Sequence, residues 1–244
     1  MVLKAMRSLP ADYAAEYADF QRLLEGVRKV QAAPLDALRD ENWLADVIRA
    51  IGLVPIPEYA VTYAGEEEHL NGTQQGLIQL PREFAAWLAL LAELRPANYL
   101  EIGCFNGATA MLAGAVVRRV TPGARIVTCD VFPAFVFAEE ARELVPLEYR
   151  VPRTSYEFRD EQFDAVFIDG DHSFEWAWAD YVNVGRAAKF CALHDVNNAP
   201  YRDLPLGGVC GVWEVIKARE TGEFREIFTH PSAEIMGIGI RLSS

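Results

Sequence analysis

The sequence predicts an α/β fold built on a doubly wound sheet, and three stretches predict it. Residues 99–110, YLEIGCFNGATA, run from an apolar strand through a glycine-punctuated turn into a helix. Residues 163–174, FDAVFIDGDHSF, and 192–198, ALHDVNN, are two further apolar segments that end in polar residues. Strands alternating with turns and helices make such sheets, and their ligands sit beyond the carboxyl ends of the strands. Gly103 and Gly107 permit a tight turn and close approach of a ligand, and the helix from Ala108 to Val117 aims its free amides at the crevice.

The chain has 244 residues, 51% of them hydrophobic, enough for one large domain with an appendage. A formal net charge of -12 argues against nucleic acid or an anionic membrane as a partner, since both call for basic surface. A small-molecule partner fits better. Cys104, Cys129, Cys191 and Cys210 are scattered, mostly in or beside apolar segments, and read as free thiols in a reducing compartment. The N-terminal MVLKAMRSLP lacks a signal-like apolar core, and no apolar run approaches the length of about 18 residues that spans a membrane. A cytoplasmic location is therefore expected.

Taken in order, Leu9, Tyr13, Tyr17, Phe20, Leu24 and Val27 recur at helical spacing and predict an amphipathic helix from Leu9 to Val30, broken by Pro34. Leu35 to Ile51 adds one or two helical turns before Gly52 and Pro55-Ile56-Pro57. Residues 1–62 thus form a helical appendage, for packing on the sheet, for oligomerisation or as a lid, and 63–244 form the main domain. An acidic loop, Tyr63 to Gly76, leads to a helix from Arg82 to Leu94. After the glycine loop, Thr121-Pro122-Gly123 turns into a strand from Arg125 to Cys129 that ends at Asp130. A helix from Ala134 to Leu144, a short strand from Leu147 to Val151, a strand from Phe163 to Ile168, a helix from Trp176 to Ala187 and a strand from Phe190 to Leu193 follow. The tail supplies a helix from Val209 to Glu220 and a closing hairpin, Phe224 to Phe228 with Met236 to Leu242, that includes an antiparallel strand.

The strand ends carry the candidate chemistry. Glu101 and Asp130 are acids at the mouths of two strands; a carboxylate such as Asp130 can accept both hydroxyls of a ribose, or else cap the next helix. Asp169, Asp171 and His172 leave one strand, and His194, Asp195 and Asn197 leave the next. Neighbouring strands lie about 4.8 Å apart, so their terminal carboxylates can share one ion. Oxygen-rich ligands with imidazole at the margin suit Mg²⁺ or Mn²⁺ better than zinc. His69 and His230 have no such company, and the aromatic run Phe174, Trp176, Trp178 and Tyr181 reads as packing, with a substrate wall as the alternative.

The spacing Glu-x-Gly-x-x-x-Gly at 101–107 departs from the dinucleotide pattern and resembles the first motif of the class I S-adenosylmethionine-dependent methyltransferases. Asp-Gly-Asp-His-Ser-Phe, followed by His-Asp after the next strand, is similar to the subgroup containing cephalosporin-cluster enzymes and macrolide-sugar O-methyltransferases, and more distantly catechol O-methyltransferase. The resemblance covers residues 75–242. It implies a Rossmann-like methyltransferase sheet with a C-terminal antiparallel strand, and it implies S-adenosylmethionine held by Glu101, Gly103, Asn106, Gly107, Thr109, Asp130, Ser155 and Asp169. Thr73, Gln74 and Gln75 would lie over its methionine end. It further implies a divalent metal on Asp169 and Asp195, with His194 or Asn197 completing the set, and His172 as the base that deprotonates a substrate hydroxyl. The sugar O-methyltransferases carry two adjacent acids where this chain has His194-Asp195. The function expected is O-methyl transfer to a sugar or phenolic natural product by a homo-oligomer. A nicotinamide-dependent oxidoreductase and a non-catalytic cofactor-binding protein remain the alternatives.

Overall fold

A computed structural model describes residues 13–56, 65–229 and 234–243. Leu9, Pro57, Tyr63 and His230 lie outside the described residues.

The strands are β1 (Asn98–Ile102), β2 (Arg125–Cys129), β3 (Glu148–Arg150), β4 (Ala165–Ile168), β5 (Phe190–His194), β6 (Glu223–Ile227) and β7 (Ile238–Leu242). They form one sheet in the order β3-β2-β1-β4-β5-β7-β6. The first five run parallel; β7 is antiparallel to β5 and β6 pairs antiparallel with β7, as the closing hairpin predicts. Strand order reverses at β1, between β2 and β4, and the register sets Ile102 opposite both Cys129 and Ile168. The residues that follow these strands, Gly103, Asp130 and Asp169, therefore share one rim, continued by His194 at the end of β5. A crevice at such a switch point is where this architecture binds ligands.

Alternation along the strands divides the core. Tyr99, Ile126, Phe167 and Ile240 face a cluster built with Phe20, Val27, Leu88 and Val116, whereas Leu100, Val127, Ile168 and Leu193 face one built with Tyr181, Val212 and Trp213. The first cluster belongs to α1 (Tyr13–Ala32), α2 (Glu41–Ile51), α3 (Pro81–Leu94), α4 (Ala108–Val120) and α5 (Ala138–Leu144). The second belongs to α6 (Phe174–Asp180) and α8 (Gly208–Arg219), which follows the short α7 (Ala199–Arg202). The apolar face of α1 is buried in its own chain, with Phe20 stacked on Phe137 at 4.5 Å. Asp40 caps α2 by accepting from the amides of Asn42 and Trp43, and Gly52 ends it at φ 97°.

Two elements depart from the pattern. The helix expected from Ala134 starts at Ala138, because the preceding residues wrap the glycine loop: a Cβ on Gly107 would meet the Phe135 ring at 2.2 Å. The helix expected over 176–187 stops being α-helical at Asp180 and widens into a π-turn, Tyr181–Gly185, where Gly185 lies so close to Cys191 that a Cβ would sit 2.6 Å from its sulfur. Among the described residues no helix is long and apolar enough to cross a membrane.

Candidate active site

The glycine loop is tied down from three sides. Gly103 takes φ 81° and passes so close to the Asp169 carbonyl that a Cβ would lie 2.1 Å from it. Phe105 adopts a left-handed φ of 45°, uncommon for a side chain of that size, and its amide donates to Asp130 Oδ2 at 2.9 Å. Asn106 donates to the carbonyls of Gln74 and Gly76 and accepts from the Ala108 amide at the start of α4. Glu101 is fully buried behind the loop rather than open to the crevice: Tyr99 Oη and Thr109 Oγ1 donate to its two oxygens. Burial raises its carboxyl to about 8, the two hydroxyls only partly offsetting the effect.

Two cavities open on the rim and share Gly103, Phe105 and Asp169. The larger, about 450 Å³, is bounded by Asp130, Val131, Phe132, Thr154, Trp176 and Asp180 among others. Asp130 accepts from the amides of Phe105 and Phe132, one on each oxygen. Each oxygen keeps a lone pair for a further donor. Asp171, also on this wall, accepts from the Ser173 amide at the entry to α6.

The smaller cavity, about 230 Å³, has apolar walls that include Ile56, Ile78 and Met236 and a polar end made by Asp169, His172, His194 and Asp195. These four side chains each bring one ligand atom within 4.8 Å of the others. His172 Nε2 is 2.9 Å from Asp195 Oδ2 and 3.4 Å from Asp169 Oδ1, and His194 Nδ1 is 3.1 Å from Asp169 Oδ1. Burial alone would raise both carboxyls, but the imidazoles, His194 foremost, reverse that and hold them below the usual range. Burial would likewise lower the imidazoles; the carboxylates instead lift His172 to about 9 and His194 well above its ordinary value. Asp195 is held at a left-handed φ of 62° with Asn198 donating to it at 2.8 Å, and the Tyr201 ring stacks on His172 at 4.1 Å. The buried His194 Nε2 has no hydrogen-bond partner among the described residues. A mixed set of two carboxylates and two imidazoles fits a divalent cation, with Mn²⁺ lying between the oxygen-seeking and the imidazole-seeking metals.

Residues 100–192 match the family model described as a methyltransferase domain. This stretch of the chain is similar to a methyltransferase domain. The sheet and covering helices resemble those of an O-methyltransferase from Bacillus cereus in complex with SAH, with 17% identity, a TM-score of 0.55, and 83% of this chain and 96% of that one covered. The O-methyltransferase TomG from Streptomyces achromogenes, involved in tomaymycin synthesis and in complex with SAM, aligns at 20% identity and TM-score 0.52 over 79% and 92% of the two chains. A putative caffeoyl-CoA O-methyltransferase from Staphylococcus aureus aligns at 13% identity and TM-score 0.52 over 82% and 98%. No curated protein matches the chain.

Around the two cavities the expected residues fall into two groups. Gly103, Asp130 and Asp169 line the larger cavity, while Asn106 and Thr109 line the smaller and, like Gly107, shape the loop. Ser155 is buried with its hydroxyl engaged by Asn183, and its neighbour Thr154 is the one on the cavity wall. Thr73 and Gln75 spend their side chains on Asp19 and Glu16 of α1, leaving Gly76 as the lining residue. Asn197, two residues beyond Asp195, has its side-chain oxygen engaged by Arg202, which donates to it at 3.0 Å.

Sequence reasoning passed over Gln79 and Glu83. The Gln79 amide donates to Asp169 Oδ2 at 2.7 Å; its signal was a polar residue inside the apolar run Leu77 to Leu80. Glu83, buried in α3, accepts from the amides of Thr229 and Gly237 and so holds the ends of the segment beside the site. An acid inside an apolar helix was the available sign. Trp176, read chiefly as packing, is half-exposed on the larger cavity, while Phe174, Trp178 and Tyr181 do pack against one another.

Proposed function

We propose that the protein methylates a hydroxyl of a small phenolic or sugar natural product, assisted by a divalent cation. The observation that carries the reading is the pair of cavities meeting at Asp169. One offers an acid suited to a vicinal diol between apolar plates, the other an acid and imidazole cluster at the end of an apolar pocket. S-adenosylmethionine supplies an electrophilic methyl group on its sulfonium, and a divalent cation lowers the pKa of a bound hydroxyl.

In this reading Asp130 takes the ribose hydroxyls, and Asp169, Asp195 and His194 hold the cation, with Gln79 and Asn198 fixing the two carboxylates. His172 would take the proton of an acceptor hydroxyl held at this cluster, the methyl group being what the cofactor would supply. Tyr201, stacked on His172, keeps the ring in place. With Asp169 and Asp195 engaged by a cation, their charge would no longer favour the His172 imidazolium, so His172 would be free to accept that proton. The rest is positioning, worth roughly 7 to 11 kcal/mol when two reactants are held in line. The small volume and apolar walls favour a single-ring acceptor, phenolic ahead of sugar. Four buried free thiols suit the cytoplasm.

The test is transfer of labelled methyl from S-adenosylmethionine to a panel of catechols, phenols and glycosides with Mn²⁺ or Mg²⁺. Methylation at oxygen that disappears on chelation supports the reading. Cofactor binding with no transfer to any acceptor counts against it.

A further inference from the structure

Asp180 sits where α6 gives way to the π-turn, and its carboxylate reaches back to the strand ends. A Cβ on Gly170, just beyond β4, would lie 3.3 Å from Asp180 Oδ2, so the absent side chain makes room for this oxygen. The residue is only 5% exposed, yet it lines the larger cavity together with Asp130, Phe132 and Trp176. The groups that act on it are the Ser155 hydroxyl, which donates to it, and Asp171, which carries like charge; no cation is among them. Asn183, within the π-turn, donates to Ser155 Oγ at 2.9 Å, so a relay of donors runs from Asn183 through Ser155 and ends on this carboxylate. A desolvated carboxylate without a cation is costly and can only accept hydrogen bonds. What it lacks is a neutral donor presented from the cavity.

S-adenosylmethionine has three kinds of donor: the α-ammonium, the ribose hydroxyls and the 6-amino group of the purine. Asp130, on β2, is the acid placed for the ribose. Asp180 touches the loops after β3 and β4 through Ser155 and Gly170, and the flat walls Phe132 and Trp176 belong to the same cavity. We propose that Asp180 is the specificity residue for the purine, accepting a hydrogen bond from its 6-amino group, with Ser155 and Asn183 as the residues that orient it. This rests on the reading that the larger cavity takes S-adenosylmethionine. It assigns a role to a helix residue beyond the glycine loop and strand-end acids, and gives the π-turn a purpose: widening the helix carries Asn183 to Ser155 while Asp180 faces the cavity.

The experiment compares two ligands on the unaltered chain by calorimetry: S-adenosylhomocysteine and its analogue with hydrogen in place of the 6-amino group. The parent is expected to favour the amino compound by about 10- to 100-fold, the effect of one hydrogen bond to a charged acceptor. Asp180→Ala should weaken S-adenosylhomocysteine by a similar factor and leave the two ligands within about twofold of each other. Asn183→Ala should weaken it a few-fold while keeping the preference. Equal binding of the two ligands by the parent overturns the assignment of Asp180 alone, as does a full preference surviving in Asp180→Ala. A parent that binds neither ligand overturns the cofactor reading, and this inference with it. The ligand pair needs no altered protein, so a variant that fails to fold leaves the test intact.

Discussion

The two halves of the strand-end rim satisfy their buried carboxylates in opposite ways. On the glycine-loop side, Glu101, Asp130 and Asp180 are held by hydroxyls and backbone amides, with no cationic side chain paired with them among the described residues. On the β4–β5 side, Asp169 and Asp195 face two imidazoles at contact distance. The first arrangement leaves acceptors for a neutral, donor-rich ligand. The second concentrates nitrogen and oxygen donors on one point, as a cation or a travelling proton requires. The halves meet at Asp169, whose two oxygens are divided between Gln79 and His194.

That division can be broken from either side. The largest effect is expected for His172→Ala, which should lower turnover by about 10² to 10⁴-fold while S-adenosylhomocysteine binds as before in calorimetry. Unchanged turnover would make His172 a packing partner of Tyr201. Chelation should act on the same half, abolishing most turnover and sparing cofactor binding, with Mn²⁺ restoring activity at least as well as Mg²⁺. Full activity after exhaustive chelation would remove the cation from the account. On the other half, Asp130→Ala should weaken S-adenosylhomocysteine by about 10- to 100-fold, the loss of a charged hydrogen bond, and leave Mn²⁺ affinity unchanged.

A smaller effect concerns stability. The unfolded chain gives up the Glu101 proton near the ordinary value of 4.5, the folded protein near 8. Between those values the folded state binds the extra proton, so this group makes the fold progressively less stable as pH rises through the window. The melting temperature of the parent is expected to fall between about pH 5 and 8, and Glu101→Gln to flatten that slope. His172 has the same sign above its ordinary value, so the difference between parent and variant is the measurement that isolates Glu101. The smallest claim is the homo-oligomer expected from the aromatic α1. Its main apolar face is buried within the chain, leaving Tyr13 and Tyr17 partly exposed, and a monomer by light scattering would retire that expectation.

The alternation of apolar strands with helices, the glycine turn at 103–107 and the strand-end acids were legible in the sequence, because each depends on neighbours a few residues away. Periodicity of two or of 3.6, a missing Cβ and a polar residue closing an apolar run are local signals. So Asp130, Asp169, His172 and Asp195 stand out as candidates in the sequence itself. Only the tertiary structure decided which atoms meet. It set His172 Nε2 2.9 Å from Asp195 Oδ2, across the ends of two strands. It set Glu101 behind the loop, since Tyr99 and Thr109 supply its hydrogen bonds from two different elements. It carried Gln79, ninety residues away, onto Asp169, and folded Asp180 of α6 back over the Gly170 turn. Contacts of that kind depend on how helices pack across the sheet, and no spacing within one segment encodes them.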